Sequence, residues 1–187
     1  MAESKAADGV PIVIALGHKS HVGTGVIGEF LVYSYGFHVV SFADQLKVMT
    51  MVKYGLSHAE VYVHKDQPME RFDGKTSRQL LQQHGELLRA THGDNVLVDV
   101  VKQKIKDKIS QGRDVVLTDV RLPAEFDMLE DIGAHLWKVT RQVSTLSTEL
   151  MRHETEIALN NNTRWHLVIA NNGTIQELLR KVAWAIP

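Results

Sequence analysis

A chain of 187 residues can bury one full hydrophobic core and is short for two independent domains. Apolar side chains at 44% and charged ones at 23% exclude a fibre, a coiled coil or a disordered tail, and a formal charge of -1 gives no positive field for a nucleic-acid backbone. The absence of cysteine removes disulfide frameworks, thiolate metal sites and cysteine nucleophiles together.

The start, Met1 to Asp8, is polar and lacks the apolar stretch of a secretory signal, and no later apolar run approaches the ~18 residues of a membrane span. The expectation is a cytoplasmic protein with no membrane partner. Residues 10–16 form a continuous β-branched apolar run, as in strands buried on both faces. The run breaks at Gly17, and Gly17-His-Lys-Ser-His-Val-Gly-Thr-Gly25 leads into a helix over 26–35 that Gly36 stops. A short strand over 37–42 and a helix over 43–54 closed by Gly55 follow, then a charged connection over 64–74. Helical periodicity covers 76–91 with Gly93 as its stop, and resumes over 94–110. After these come a strand over 114–118, a helix over 123–132, a strand over 135–139 and a helix over 144–159. A last strand over 166–170 and a closing helix over 174–185 complete the alternation. Strands alternating with helices predict an α/β fold, a mainly parallel five-stranded sheet flanked by helices in three layers, within one domain spanning 1–187.

The strand, glycine-rich loop and helix at 10–35 would aim backbone amides and a helix N-terminus at an anion in the loop, for which phosphate is the obvious ligand. A full phosphate loop reads G-x-x-x-x-G-K-[ST], its lysine on the phosphates and its hydroxyl on magnesium. Here Gly23 comes one residue late, Thr24 stands where the lysine belongs, and Gly25 follows. Lys19 within the loop is the nearest cation, flanked by His18 and His21. Lys19 can serve a phosphate as a point charge, and Thr24 can offer its hydroxyl to Mg2+ or a phosphate oxygen. A plain strand-to-helix turn is the bland alternative. The ten histidines show no H-E-x-x-H or facial-triad spacing, and no G-x-S-x-G elbow is present.

Tyr35-Gly-Phe followed by Ser41-Phe-Ala-Asp-Gln-Leu-Lys47 resembles the Y-G-F and S-F-A-D-P-L-K of phage deoxynucleoside monophosphate kinases, with Gln45 for the proline. Gly74-Lys-Thr-Ser-Arg-Gln-Leu-Leu-Gln82 is similar to that family's G-K-T-P-R-Q-L-L-Q, and Gly85 to Arg89 to its G-T-E-x-x-R. Val115-Val-Leu-Thr-Asp-Val-Arg-Leu-Pro-Ala-Glu125 resembles V-V-x-T-D-V-R-F-P-N-E, His153-Glu-Thr-Glu156 resembles H-E-S-E, and Asn171-Asn-Gly-Thr174 resembles N-x-G-T. Against the family's G-x-K-x-x-G-K-D-T, the loop from Gly17 carries one inserted residue and alters the lysine, aspartate and threonine. The resemblance thus covers most of the chain and departs from the family at the loop.

The resemblance implies a P-loop-kinase-like fold with a degenerate loop, in which 56–112 is a helical acceptor-binding region and 141–160 a lid-like segment. It implies transfer of the γ-phosphoryl group of ATP, with Mg2+, to a deoxynucleoside monophosphate, giving the diphosphate and ADP. The catalytic candidates are Lys19, Asp44, Arg121 and Arg141. Gly17, His18, Lys19, Ser20, His21, Gly23, Thr24, Gly25 and Asn172 would hold the donor's phosphates. Asp44, Lys47, Arg78, Gln82, Arg89 and Glu154 would hold the acceptor, and Thr24 with Asp119 the Mg2+. Asp44 and Lys47 share a helix face and could equally be an exposed ion pair. Arg78 and Arg89, eleven residues apart, fall about three helical turns from each other and could clamp one monophosphate, or be solvated arginines. Asp119 follows an apolar strand, where a magnesium carboxylate or a turn aspartate would stand. Arg121 and Arg141 could neutralise the transferring group. Two other readings stay open: a non-catalytic nucleotide-binding protein that keeps this fold, or else a phosphate-binding hydrolase or a kinase of another small acceptor such as dephospho-coenzyme A. The partners expected are small molecules and a second copy of the chain in a homodimer, with no nucleic-acid polymer; a phage-encoded chain would work in the host cytoplasm.

Overall fold

The computed structural model describes residues 9–17, 19–93, 95–142 and 154–187, with the side chains of 154 and 155 outside that description. The chain forms two compact units, one of Met1–Val40 with Lys102–Pro187 and one of Ser41–Val101.

The first unit is built on a five-stranded sheet whose described pairings are all parallel: β1 (Val13–Gly17), β2 (His38–Val39), β5 (Val115–Val120), β6 (His135–Thr140) and β7 (Leu167–Ala170), in the order β2-β5-β1-β6-β7. Helices α1 (Thr24–Tyr35), α5 (Pro123–Asp131), α6 (Glu154–Ile157) and α7 (Ile175–Ala185) also lie in this unit. The three-layer α/β expectation and the count of five sheet strands hold. In the central strands β1, β5 and β6 residues alternate between two covered faces, which explains their apolar runs, while the edge residues Val39 and Val168 are exposed. On one face Ile14, Leu16, Val116, Trp137, Val139 and Ile169 pack with Ile27 and Leu31 of α1 and with Leu178 and Val182 of α7. The alternate residues Val13, Ala15, Val115, Leu117 and Leu136 are buried too, as are Phe126 and Leu129 of α5, which lies against β6. Each such large side chain contributes ~1.5–3 kcal/mol by leaving water.

Local chemistry sets the element ends. Gly36 takes a left-handed conformation after α1, and Thr174 caps α7 by accepting from the Glu177 amide while Glu177 accepts from the Thr174 amide. Strand β2 is two residues rather than the expected six, because it is a sheet edge paired only to β5 and because Ser41 turns the chain by capping the next helix. Strand β5 runs two residues beyond its expected end, which puts Asp119 inside the strand.

The second unit holds α2 (Phe42–Tyr54), a π-helical turn at Ala59–Val63, a hairpin of β3 (Pro68–Met69) and β4 (Lys75–Thr76) around a 3-10 turn at Glu70–Phe72, and α3 (Ser77–His92). The unit boundary falls within α4 (Val96–Ser110). Leu56, Val61 and Leu80 form its core with Met51, Tyr54, Met69, Phe72 and Leu81 against them. Buried within it, the Thr50 hydroxyl donates to the Leu46 carbonyl at 2.7 Å and lies 2.8 Å from Nδ1 of His84. Burial, and then the charge of Lys53, lowers the His84 pKa below its ordinary value. Strand β3 lies within the stretch read as a connection over 64–74 and β4 follows it at Lys75–Thr76, where Thr76 was read as helical, since two-residue strands leave no period to detect. Among the described residues no helix is long and apolar enough to cross a membrane. The helix expected over 144–159 falls outside the described residues except for its end in α6.

Candidate active site

The sheet order places β1 between β5 and β6, so the loop leaving its C-terminal end opens at the crevice where open α/β sheets bind ligands. Gly17 at the end of β1 is in register with Val120 of β5 and Lys138 of β6, which brings Arg121 level with the start of the loop. Between Ala15 and Gly17 the pairing slips, because β5 advances three residues while β1 advances two. That bulge lies at Thr118 and Asp119, and bulges of this kind re-aim side chains next to functional sites.

The loop is held from below. Asn171, buried at the end of β7, donates from Nδ2 to the Val22 carbonyl at 2.8 Å. Gly23 has a φ of 108° and a Cβ there would sit 2.5 Å from that same Nδ2, so conformation and close approach both require glycine. Thr24 then opens α1, Gly25 is exposed with open space beside it, and His21 has a positive φ of 59°. Lys19 is half-buried in the loop, and His18 lies outside the described residues.

One side chain that sequence reasoning left without a role closes this site. Glu156 in α6 accepts from the Ser20 amide at 2.9 Å and from the Ser20 hydroxyl at 2.5 Å, and it is paired with Arg121. Arg121 Nη1 also donates to the Ser20 hydroxyl at 2.7 Å. Burial works to raise the Glu156 pKa, but the bonds from Ser20 and the charge of Arg121 hold it below the ordinary carboxylate value. Beneath this triangle Glu125, in the first turn of α5, accepts from the amides of Arg121 at 2.8 Å and Leu122 at 3.0 Å. Burial first, with the nearby charge of Asp119, pushes the Glu125 pKa up to about 7 against the lowering effect of those two bonds. The Pro123-Ala-Glu125 pattern carries this cap in the sequence. Glu156 was visible only as the end of the His153-Glu-Thr-Glu156 motif, since its partners are 35 and 136 residues away.

Arg141 is exposed after β6, and Asn172 accepts from the Gln142 amide at 2.9 Å. Beside Asn172 a groove of about 700 Å³ is lined by Gly173, Glu177, Arg180, Lys181 and Trp184, whose indole is 88% exposed. Among the described residues no group of three His, Asp or Glu could hold a metal by itself.

The expected acceptor residues Asp44, Lys47, Arg78, Gln82 and Arg89 all lie in the second unit. Asp44 Oδ1 accepts from Lys47 at 2.7 Å and from the Tyr62 hydroxyl at 3.4 Å, and Lys47 lies 4.5 Å from the Tyr62 ring centre. Tyr62, absent from the expected set, is delivered by the π-helical turn and stacks on His58 at 4.3 Å. Burial, then the Asp44 charge, raises the Tyr62 pKa. Arg78 grips Asp66 with both arms of its fork, at 2.6 and 3.3 Å. Gln82 donates to Glu86 at 3.2 Å, and Arg89 is half-buried on the same helical stripe as Arg78. The side chain of Glu154 lies outside the described residues. The catalytic candidates therefore divide between the units, with Lys19, Arg121 and Arg141 in the first and Asp44 in the second.

A family model for deoxynucleotide monophosphate kinases matches residues 51–182. The chain belongs to the deoxynucleotide monophosphate kinase family. As a member it is a kinase, an enzyme of phosphoryl transfer. A curated protein of Acanthamoeba polyphaga mimivirus, provisionally named a deoxynucleotide monophosphate kinase, is 27% identical over 185 residues, covering 91% of the kinase and 94% of the viral protein. Among solved structures, TT1252 from Thermus thermophilus matches with a TM-score of 0.53 at 17% identity, over 94% of the kinase and 96% of that chain. Dephospho-CoA kinase from Campylobacter jejuni matches with a TM-score of 0.51 at 12% identity, over 94% and 96%. These two carry the P-loop-kinase-like fold and nothing finer.

Proposed function

We propose that the kinase transfers the γ-phosphoryl group of ATP to a deoxynucleoside 5′-monophosphate. An oxygen of the acceptor phosphate attacks the γ-phosphorus, the bond to the β-phosphate oxygen breaks, and the products are a deoxynucleoside diphosphate and ADP. The observation that carries the reading is the family match across 51–182, which contains most of the expected acceptor residues. The site chemistry supports it. Phosphoryl transfer needs positioning and charge neutralisation more than covalent help, and Arg121 donates to Ser20, the neighbour of Lys19 in the loop. With Thr24 in the position of the usual lysine, Lys19 and Arg121 take over its charge on the transferring group. The groove beside Asn172, within the usual range for a small-molecule site, accepts the nucleoside of ATP. In the second unit Asp44, Lys47 and Arg89 receive the acceptor, and Arg78 joins them by leaving Asp66.

Mg2+ characteristically binds one or two carboxylates together with substrate phosphates, a pattern that needs no dedicated cage, and among the described residues no group of three His, Asp or Glu forms one. The Thr24 hydroxyl and the Asp119 carboxylate would hold it jointly with ATP. The ion supplies charge neutralisation on the phosphate oxygens when bound.

The test is a coupled ADP-release assay with ATP, Mg2+ and each of the four deoxynucleoside monophosphates in turn, beside a control without acceptor. ADP formation that depends on one or more acceptors supports the proposal. Its absence in a folded protein, or turnover only with a different acceptor such as dephospho-coenzyme A, rejects it.

A further inference from the structure

We propose that Glu156 is a place-holding anion of the phosphate loop: its carboxylate occupies the donors that a phosphoryl group of the nucleotide takes, and it yields them when the nucleotide binds. The donors are the Ser20 amide, the Ser20 hydroxyl and the Arg121 guanidinium, all engaged by the two oxygens of one carboxylate. A backbone amide in a glycine-containing loop, a hydroxyl and a guanidinium are the groups with which proteins bind phosphate. They come from the loop after β1 and from the end of β5, stretches 101 residues apart, so this convergence is made by the fold and not by local capping. The occupant comes from a third place, the short helix α6, 35 residues beyond Arg121.

The Glu156 side chain is 6% exposed, and the Arg121 side chain 29%. The carboxylate is thus seated inward and the guanidinium keeps an open side. Held below its ordinary pKa by Ser20 and Arg121, Glu156 is charged at neutral pH, and a carboxylate and a phosphate cannot share one set of donors without strong like-charge repulsion. The site is complete as an anion seat only because an anion of the protein already fills it. Nucleotide binding is therefore an exchange, in which the apparent affinity is lowered by the fraction of molecules whose seat is taken. The same exchange frees Glu156, and α6 with it, at the moment the donor arrives.

The inference rests on reading this loop as the phosphate seat, and not on which acceptor the kinase uses. Its test therefore uses inorganic tripolyphosphate, which needs neither acceptor nor turnover, titrated calorimetrically into the full chain and into Glu156→Gln and Glu156→Asp. Glutamine keeps the shape without the charge, and its amide nitrogen cannot accept from Ser20 or Arg121. We expect Glu156→Gln to bind tripolyphosphate at least about fivefold more tightly than the unsubstituted chain, the occupancy cost having been removed. Glu156→Asp, which draws the charge back by one methylene, falls between them and serves alone if the glutamine variant does not fold. A residue that merely braced the loop would give weaker binding on substitution, so unchanged or weaker binding by the folded variants overturns the proposal. Failure of all three proteins to bind tripolyphosphate also overturns it, while acceptor-dependent ADP formation would still stand as evidence for the kinase reading.

Discussion

The guanidinium of Arg121 is held at one nitrogen, Nη1, by both the Ser20 hydroxyl and Glu156, and its own amide is fixed on Glu125. In the proposed reaction its charge and that of Lys19 replace the missing loop lysine. We predict that Arg121→Ala and Lys19→Ala each lower kcat at least about tenfold, a loss of ~1.4 kcal/mol of transition-state stabilisation, in steady-state assays with saturating substrates. Unchanged kcat in both would remove that account. Glu125 gives a prediction of a different kind. Its pKa rises from an ordinary 4.5 to about 7 on folding, so the native state binds the proton more tightly than the unfolded chain. The resulting stabilisation is complete below about 4.5 and is lost as pH rises through about 7. His84 has the opposite sign, its lowered pKa costing stability as pH falls below the ordinary 6.5, so the two must be separated by substitution. We expect Glu125→Gln, which keeps an acceptor for the Arg121 and Leu122 amides, to gain stability over the unsubstituted chain between pH 5 and pH 8. The gain should be on the order of 3 kcal/mol at most, read from urea unfolding at the two pH values. An identical pH dependence in both proteins would contradict it.

At the scale of elements, α1 owes its closeness to the sheet to Gly28, where a Cβ would meet Cγ2 of Thr118 at 2.5 Å. Alanine is the better helix former by up to ~1 kcal/mol, but overpacking against a strand costs ~1–3 kcal/mol, so Gly28→Ala should destabilise. Adding Thr118→Ser removes the clashing methyl and should restore most of the loss in thermal unfolding. A Gly28→Ala chain as stable as the original would show that α1 can move off β5. The capping box at the start of α3 is a second case: Thr76 accepts from the Gln79 amide and Gln79 accepts from the Thr76 amide. Thr76→Ala should cost ~1 kcal/mol in urea unfolding, and no change would mean that packing alone fixes this end. The elements with a strong period or a clear stop were legible in the sequence, among them β1 from its β-branched run and α1 and α2 from Gly36 and Gly55. Strands β3 and β4, two residues each, and the π-helical turn carry no period and were not legible. For the site, the loop and Arg121 could be read from local pattern. Glu156 on Ser20, Tyr62 on Asp44 and Arg78 on Asp66 are side-chain encounters set by tertiary packing, which no spacing along the chain encodes.

At the scale of the whole molecule, the chain belongs to a kinase family while its loop carries threonine where a lysine is usual, and in the proposed reaction charge from elsewhere in the fold suffices. The measurement that tests this most directly follows the phosphoryl group itself. The intact chain is incubated with ATP labelled at the γ-phosphate, Mg2+ and a deoxynucleoside monophosphate, and the products are separated. Label is expected in the deoxynucleoside diphosphate, with little released as inorganic phosphate. Label found only in inorganic phosphate, or remaining wholly in ATP with every acceptor, would contradict it.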